Sequence, residues 1–143
     1  MKIRLMTIDD YAPVRLLWGE TAGMGLRSLD DSEAGIHRFL ERNPHTCFVA
    51  VESGQVNGVI LSGHDGRRGY IYHTAVRSTC RKQGIGRALV NAVIEAMQRE
   101  EIHKIALVAF QSNLTGNQFW ESMGFAARTD LVYRDRSLCR ENL

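Results

Sequence analysis

The sequence predicts an α/β domain built on a mixed, mostly antiparallel twisted sheet. Three observations carry that expectation. β-rich runs follow one another through Thr46–Val76, separated by the turns Ser53-Gly54 and Asp65–Gly69, as in an antiparallel meander. A helical period then runs from Gly84 to about Glu100, with Ile85, Leu89 and Val93 on one face and Met97 continuing the row. The near-continuous apolar run Lys104–Phe110 comes next, and strand, crossover helix and strand together make one parallel step. At 143 residues the chain suits a single domain, residues 1–143, with one sizeable core.

Taken in order, Ile3 and Leu5 alternate with Lys2 and Arg4 as a first strand. Thr7 can cap the next helix, with Asp9 and Asp10 in its first turn and Val14, Leu17 and Trp18 as its apolar stripe. Gly19, Gly23 and Gly25 break the pattern, so Glu20–Leu26 is expected as a loop. Asp30-Asp31-Ser32 opens a second helix, with Ile36, Phe39 and Leu40 inward, and Asn43-Pro44 ends it. Thr46–Glu52, Val56–Ser62 and Tyr70–Val76 are the meander strands, and Gly58 marks a weak point or a bulge. Lys104–Phe110 is expected to be a central strand because it is apolar on both faces. Ser112 or Asn113 caps a short helix that Gly124 stops. Phe125–Arg128 and Leu131–Arg136 are expected to close the sheet. The expected order is strand, two helices, three strands, helix, strand, helix and two strands: about six to seven strands with about four helices.

The totals exclude several classes. Hydrophobic and charged fractions of 44% and 24% are those of an ordinary globular chain. A formal charge of +2 gives no case for nucleic acid. No apolar run has membrane length, and the first residues are already patterned as a strand, so neither a membrane partner nor a signal peptide is expected. Cys47, Cys80 and Cys139 are odd in number and far apart, which disfavours a disulfide framework or a zinc site and fits a reducing cytoplasm. Five scattered histidines make no metal site.

The stretch between Val76 and Leu89 carries the chemistry. Gly84 and Gly86 open a helix whose first N–H groups lie at the positive end of its dipole. Such a terminus is an anion site, and Arg77, Arg81, Lys82 and Arg87 add charge around it. Neither common phosphate motif fits. A dinucleotide fingerprint needs a glycine where Leu89 stands, and the G-x-x-x-x-G-K-[ST] loop is absent. By pattern alone a ligand-free tight turn is an equal reading.

Arg81-Lys82-Gln83-Gly84-Ile85-Gly86 resembles the R-x-x-G-x-G/A signature of the GNAT superfamily of acyl-CoA-dependent N-acyltransferases. Asn113, Gly116, Gly124 and Phe125 fall on the family's later pattern N-x-x-A-x-x-x-Y-x-x-x-G-F, with Gly116 in the alanine position. The element order is also similar, and the resemblance covers essentially the whole chain. It implies acetyl-CoA as donor and a small-molecule or protein amine as acceptor. It implies that the backbone from Gln83 through Gly84, Ile85 and Gly86 to Arg87 holds the coenzyme A pyrophosphate, with Arg81 and Lys82 nearby. The pantetheine arm is then expected along the free edge of Ala75 and Val76, with Asn113 on the other wall and the Val76 N–H as oxyanion donor. Many relatives pair, so a homodimer stays open.

Two positions depart from the family. Trp120 stands where the pattern has a tyrosine acid, and an indole N–H is a donor that does not release its proton. Tyr72 and Tyr133 are the alternative acids. Some relatives carry a glutamate where this chain has Val108. A lysine-like amine, with a pKa of ~10.4, must lose a proton before it attacks, so a base or a water chain is required. Tyr72 and His73 are the candidates, and strict alternation sets them on opposite faces of their strand. The leading expectation is an N-acetyltransferase working by direct attack of the amine. A non-catalytic acyl-CoA-binding or sensor domain and a different phosphate-binding module are the other two readings.

Overall fold

The computed structural model describes all residues, Met1–Leu143. The chain forms β1 (Lys2–Leu5), α1 (Tyr11–Gly19), α2 (Glu33–Arg42), β2 (Phe48–Glu52), β3 (Gln55–His64), β4 (Gly69–Val76), α3 (Ile85–Arg99), β5 (Ile105–Leu107) and α4 (Leu114–Ser122). The strands lie side by side in chain order. β1 to β4 are antiparallel, and β5 runs parallel to β4 after the α3 crossover. The α/β class, the mixed sheet and the four helices agree with the expectation from sequence.

The period-2 pattern of the strands divides the core into two layers. On one face Val49, Val59, Leu61 and Ala75 pack under Val14, Leu17 and Trp18 of α1 and Ile36 of α2. On the other, Phe48, Ala50, Ile60 and Ile71 pack under Leu89, Val90, Val93 and Met97 of α3. Leu89, Val90 and Val93 have no exposed surface, and burial of each side chain stabilises the fold by about 1.5–3 kcal/mol. Ser32 starts α2 by accepting the Gly35 N–H at 3.0 Å, which satisfies one of the unpaired donors of the first turn.

Two bulges break the ladder. Opposite Ala50 and Val51, β3 carries an extra residue, Asn57, beside Gly58. Between the pairs Ile60↔Thr74 and Ser62↔Ile71, β4 spends three steps where β3 spends two. The second bulge therefore falls at Tyr72-His73, and it is the one that shapes the site.

The end of the sheet differs from the sequence expectation. There are five strands, not six to seven, and neither Phe125–Arg128 nor Leu131–Arg136 is a strand. Lys104–Phe110 contracts to Ile105–Leu107 and lies at the sheet edge rather than in its centre. The physical reason lies in β4. Its ladder with β5 ends at Ile71↔Leu107, where the bulge begins, and a three-residue β5 offers little template for further strands. The tail returns instead to the α1–α2 loop. The Ser28 hydroxyl donates to the Glu141 carbonyl at 2.7 Å, and Asn142 Oδ1 accepts the N–H groups of Leu29 and Asp30 at 3.0 Å each.

Candidate active site

Because β4 and β5 pair only over Gly69–Ile71, the second half of β4 has an unpaired edge. The direction of its polar groups follows from the ladder. Arg77 N–H donates to the Asn57 carbonyl on the β3 side at 2.8 Å. Alternation then turns the N–H and C=O of Val76 toward the open side. In agreement, the Val76 carbonyl accepts from Arg81 Nε at 3.3 Å. Ala75 has the opposite phase: its polar groups face β3 and its side chain is buried in the α1 layer.

The open edge runs into the glycine loop. Ser78–Cys80 forms a short 3-10 turn, and Lys82 and Gly84 both take positive φ, 61° and 83°. Gly84 is the N-cap of α3, with open space where a Cβ would stand. The first helical bond is Ala88 N–H to the Gly84 carbonyl, 3.0 Å. The N–H groups of Ile85, Gly86 and Arg87 therefore have no partner within the helix. At Gly86 a Cβ would meet the Phe119 ring of α4 at 3.2 Å, so a side chain there would require that ring to give way. Arg81, Lys82, Gln83 and Arg87 are exposed around this terminus. Arg77 is not part of the group: it donates to the Val56 carbonyl at 2.9 Å and pairs with Glu20 at 3.6 Å. Free N–H donors, an uncovered Gly84 and flanking cations suit a diphosphate.

The far wall is α4 and the segment before it. Asn113 caps α4, its Oδ1 accepting the Gly116 N–H at 3.0 Å. Val108 and Phe110 are exposed on the same side. The α1–α2 loop closes against this wall, since a Cβ at Gly25 would lie 3.3 Å from Phe110 Cζ and one at Gly23 3.7 Å from Asn113 Nδ2. Trp120 stacks edge-on with Phe119 and Phe125, at 5.1 and 5.4 Å, and packs against the α3 layer. It is a packing residue.

The bulge corrects the expected arrangement of the two β4 candidates. Ile71 belongs to the α3 layer and Ala75 to the α1 layer, so the extra residue reverses the phase of the strand between them. Tyr72 meets Phe39 of α2 at 5.5 Å, and His73 meets Trp18 of α1 at 5.0 Å. Both side chains thus lie on the α1–α2 face. Tyr70 stacks beside Tyr72 at 4.7 Å. Burial, then the neighbouring Tyr133 and Asp30, push the Tyr72 hydroxyl up from its ordinary value. Burial, Tyr133 and Tyr72 do the same for Tyr70. Both phenols hold their protons at neutral pH, so they are donors rather than bases. Tyr133 itself is exposed and outside any strand.

His73 Nε2 lies 2.8 Å from Asp31 Oδ1. In the sequence Asp31 stands at the start of the second helix, 42 positions from His73, and carries no local signal of the pairing. Three other histidines are paired elsewhere: His64 and His45 lie beside Glu100, and His37 beside Glu41. Cys47 is buried, and burial pushes its thiol up to about 12, which makes it inert. A groove of about 550 Å³ lined by Tyr11, Arg15, Arg27, Asp31 and Glu33 contains no residue of the β4 edge or of α3, and so is separate from the cleft between them.

The fold and this cleft define the class of the protein. A profile of the acetyltransferase (GNAT) family matches residues 13–125, and the chain belongs to that family. An acetyltransferase of Pectobacterium atrosepticum (strain SCRI 1043) is 33% identical over 113 residues, which is 79% of either chain. An acetyltransferase of Sodalis glossinidius is 29% identical over 141 residues, 99% of this chain and 98% of its own. Among solved structures, AAC(6')-Iy in complex with the bisubstrate analog CoA-S-monomethyl-acetylneamine aligns with a TM-score of 0.74 over 95% of this chain and 98% of its own. At 18% identity that likeness shows the fold alone. No helix is long and apolar enough to cross a membrane.

Proposed function

We propose that the protein transfers the acetyl group of acetyl-CoA to a primary amine by direct attack. The observation that carries this reading is the open β4 edge running into three unpaired N–H groups at the α3 terminus. The backbone from Gln83 through Gly84, Ile85 and Gly86 to Arg87 binds the pyrophosphate, and Arg81 and Lys82 screen its charge. The β4 edge at Val76 receives the pantetheine arm as an added strand would be received, with Ala75 beside it presenting no outward polar group. Arg81 gives up its bond to the Val76 carbonyl when that carbonyl takes a new partner. Asn113 and α4 hold the opposite side. Bound there, acetyl-CoA supplies an activated acyl carbonyl and a thiolate leaving group.

Within that frame each residue has a chemical task. The Val76 N–H donates to the oxygen that gains charge as the amine attacks; one such donor is worth about 10²–10³ in rate. Tyr72, protonated at neutral pH, is the donor to the departing thiolate, and exposed Tyr133 beside it can relay a proton from solvent. The thiol's pKa of about 8.5 keeps this step undemanding, which is why Trp120 in the tyrosine position is tolerated. The supporting comparison is the shared description of the relatives as acetyltransferases.

The test is thiol release from acetyl-CoA with a panel of amines, amino acids and peptides. Release that depends on the added amine is expected. If acetyl-CoA binds but no member of the panel gives release, the transferase reading falls and a non-catalytic acyl-CoA-binding domain takes its place.

A further inference from the structure

We infer that Asp31 and His73 form the proton-accepting dyad for the acceptor amine, with His73 Nδ1 as the base and Asp31 as its positioning partner. The inference rests on the acetyl-transfer reading above and adds the step that reading lacks. Asp31 is 6% exposed, and its carboxylate is fully engaged. Oδ1 meets His73 Nε2 at 2.8 Å, and Oδ2 accepts the Arg27 N–H at 2.7 Å. Its main chain is held as well, because the Tyr11 hydroxyl donates to the Asp31 carbonyl at 2.7 Å. An ionised carboxylate only accepts, so Nε2 carries a proton, and in the neutral ring Nδ1 bears the free lone pair.

That lone pair is not sealed in. Trp18 Nε1 is the one buried side-chain nitrogen or oxygen without a hydrogen-bond partner. The His73 side chain keeps 16% of its surface exposed, and its only ring hydrogen bond is the one from Nε2, so Nδ1 has no partner in the protein. The Trp18 ring stands edge-on to the imidazole at 5.0 Å and blocks rotation on the α1 side. The charged group touching His73 is Asp31, from the α1–α2 loop. On β4 itself the titratable neighbour is Tyr72, which has Asp30 near it. The bulge puts imidazole and Tyr72 phenol on the same face, two and three steps before Ala75 and on the side of the sheet covered by α1 and α2.

The proton balance closes. The acceptor ammonium gives one proton to Nδ1, which becomes imidazolium and later releases it to solvent. The freed amine forms the new C–N bond. The carbon–sulfur bond breaks and Tyr72 gives its proton to the thiolate; the second amine proton leaves to solvent, from which one returns through Tyr133 to restore the Tyr72 hydroxyl. The sum is one amide, one thiol and one proton from one ammonium and one thioester.

The decisive measurement is the amine-dependent kcat against pH for the full chain and for His73→Gln and Asp31→Asn, with acetyl-CoA affinity measured beside it. In Asp31→Asn the new side-chain amide donates to Nε2 and accepts from the Arg27 N–H, so the variant keeps the fold while moving the imidazole proton to Nδ1. Each variant is expected to lower kcat about 10²-fold with acetyl-CoA affinity unchanged. His73→Gln removes the acidic limb of the profile, and Asp31→Asn displaces it. If wild-type protein releases thiol and both variants keep its kcat and pH profile, the dyad is refuted. The nitrogen-15 spectrum of His73 in the wild-type protein decides independently of any variant's folding: a protonated Nε2 with bare Nδ1 is expected, and the reverse tautomer refutes the assignment. Absence of thiol release by the wild type instead overturns the acetyl-transfer reading itself.

Discussion

Arg4 and Asp10 show how one pair fixes the entry to α1. Arg4 Nη1 and Nη2 donate to the two Asp10 oxygens at 2.8 Å each, and Asp10 also accepts the Thr7 N–H at 2.9 Å. Burial pushes the Asp10 carboxyl up, but the bonds from Arg4 and Thr7 together outweigh it and hold the carboxyl below its usual value. A depressed carboxyl stabilises the fold above the ordinary carboxylate pKa of ~3.9, and that contribution is lost as pH falls through the folded value. Arg4→Met is expected to cost about 1–2 kcal/mol in denaturant melts at neutral pH, and the gap to wild type should close as the pH is lowered below that range. At this scale the sequence was legible where residues act as neighbours. The run Arg81–Arg87 could be read because its members are contiguous. Asp31 could not, because its partner is on another element and one inserted residue in β4 reverses the alternation by which His73 was placed.

In the proposed reading, donor binding depends on α3 and its preceding loop. Gly84 sits at φ 83° with nothing within 4 Å of a Cβ position, so a side chain there strains the backbone without clashing. Gly84→Val is expected to cost about 1–2 kcal/mol of stability. It should also weaken acetyl-CoA binding by about tenfold or more, since misdirecting one N–H forfeits a charge-assisted bond. Calorimetric binding beside thermal melts checks this, and equal losses in the two would return the loop to a purely structural role. The helices and the meander were readable from periodicity and caps. β5 and the closing strands were not, because an apolar run states only that it is buried somewhere. Whether a run such as Leu131–Arg136 pairs depends on an available ladder, and the ladder is cut short at Ile71 by β4.

Across the whole molecule, the proposed reading gives α3, α4 and the end of β4 to the donor, and α1, α2 and the loop between them to the acceptor. The tail ties that loop down from a distance: Asn142 holds Leu29 and Asp30 by three hydrogen bonds, one position before Asp31. Asn142→Ala is expected to raise KM for the amine about threefold to tenfold, the effect of losing roughly 1 kcal/mol of restraint, with KM for acetyl-CoA unchanged. An equal rise in both would show that the tail steadies the fold at large. The single surplus residue in β4 has a consequence for how such a chain diversifies. It acts as a phase boundary within one strand, so deleting it would turn Tyr72 or His73 to the wrong face and leave the α3 end in register. A change in the residue count of β4 is therefore all-or-nothing. Substitutions in the loop before Asp31, residues 20–30, leave that phase untouched, so in the proposed reading acceptor contacts can change there step by step while the donor grip is inherited intact.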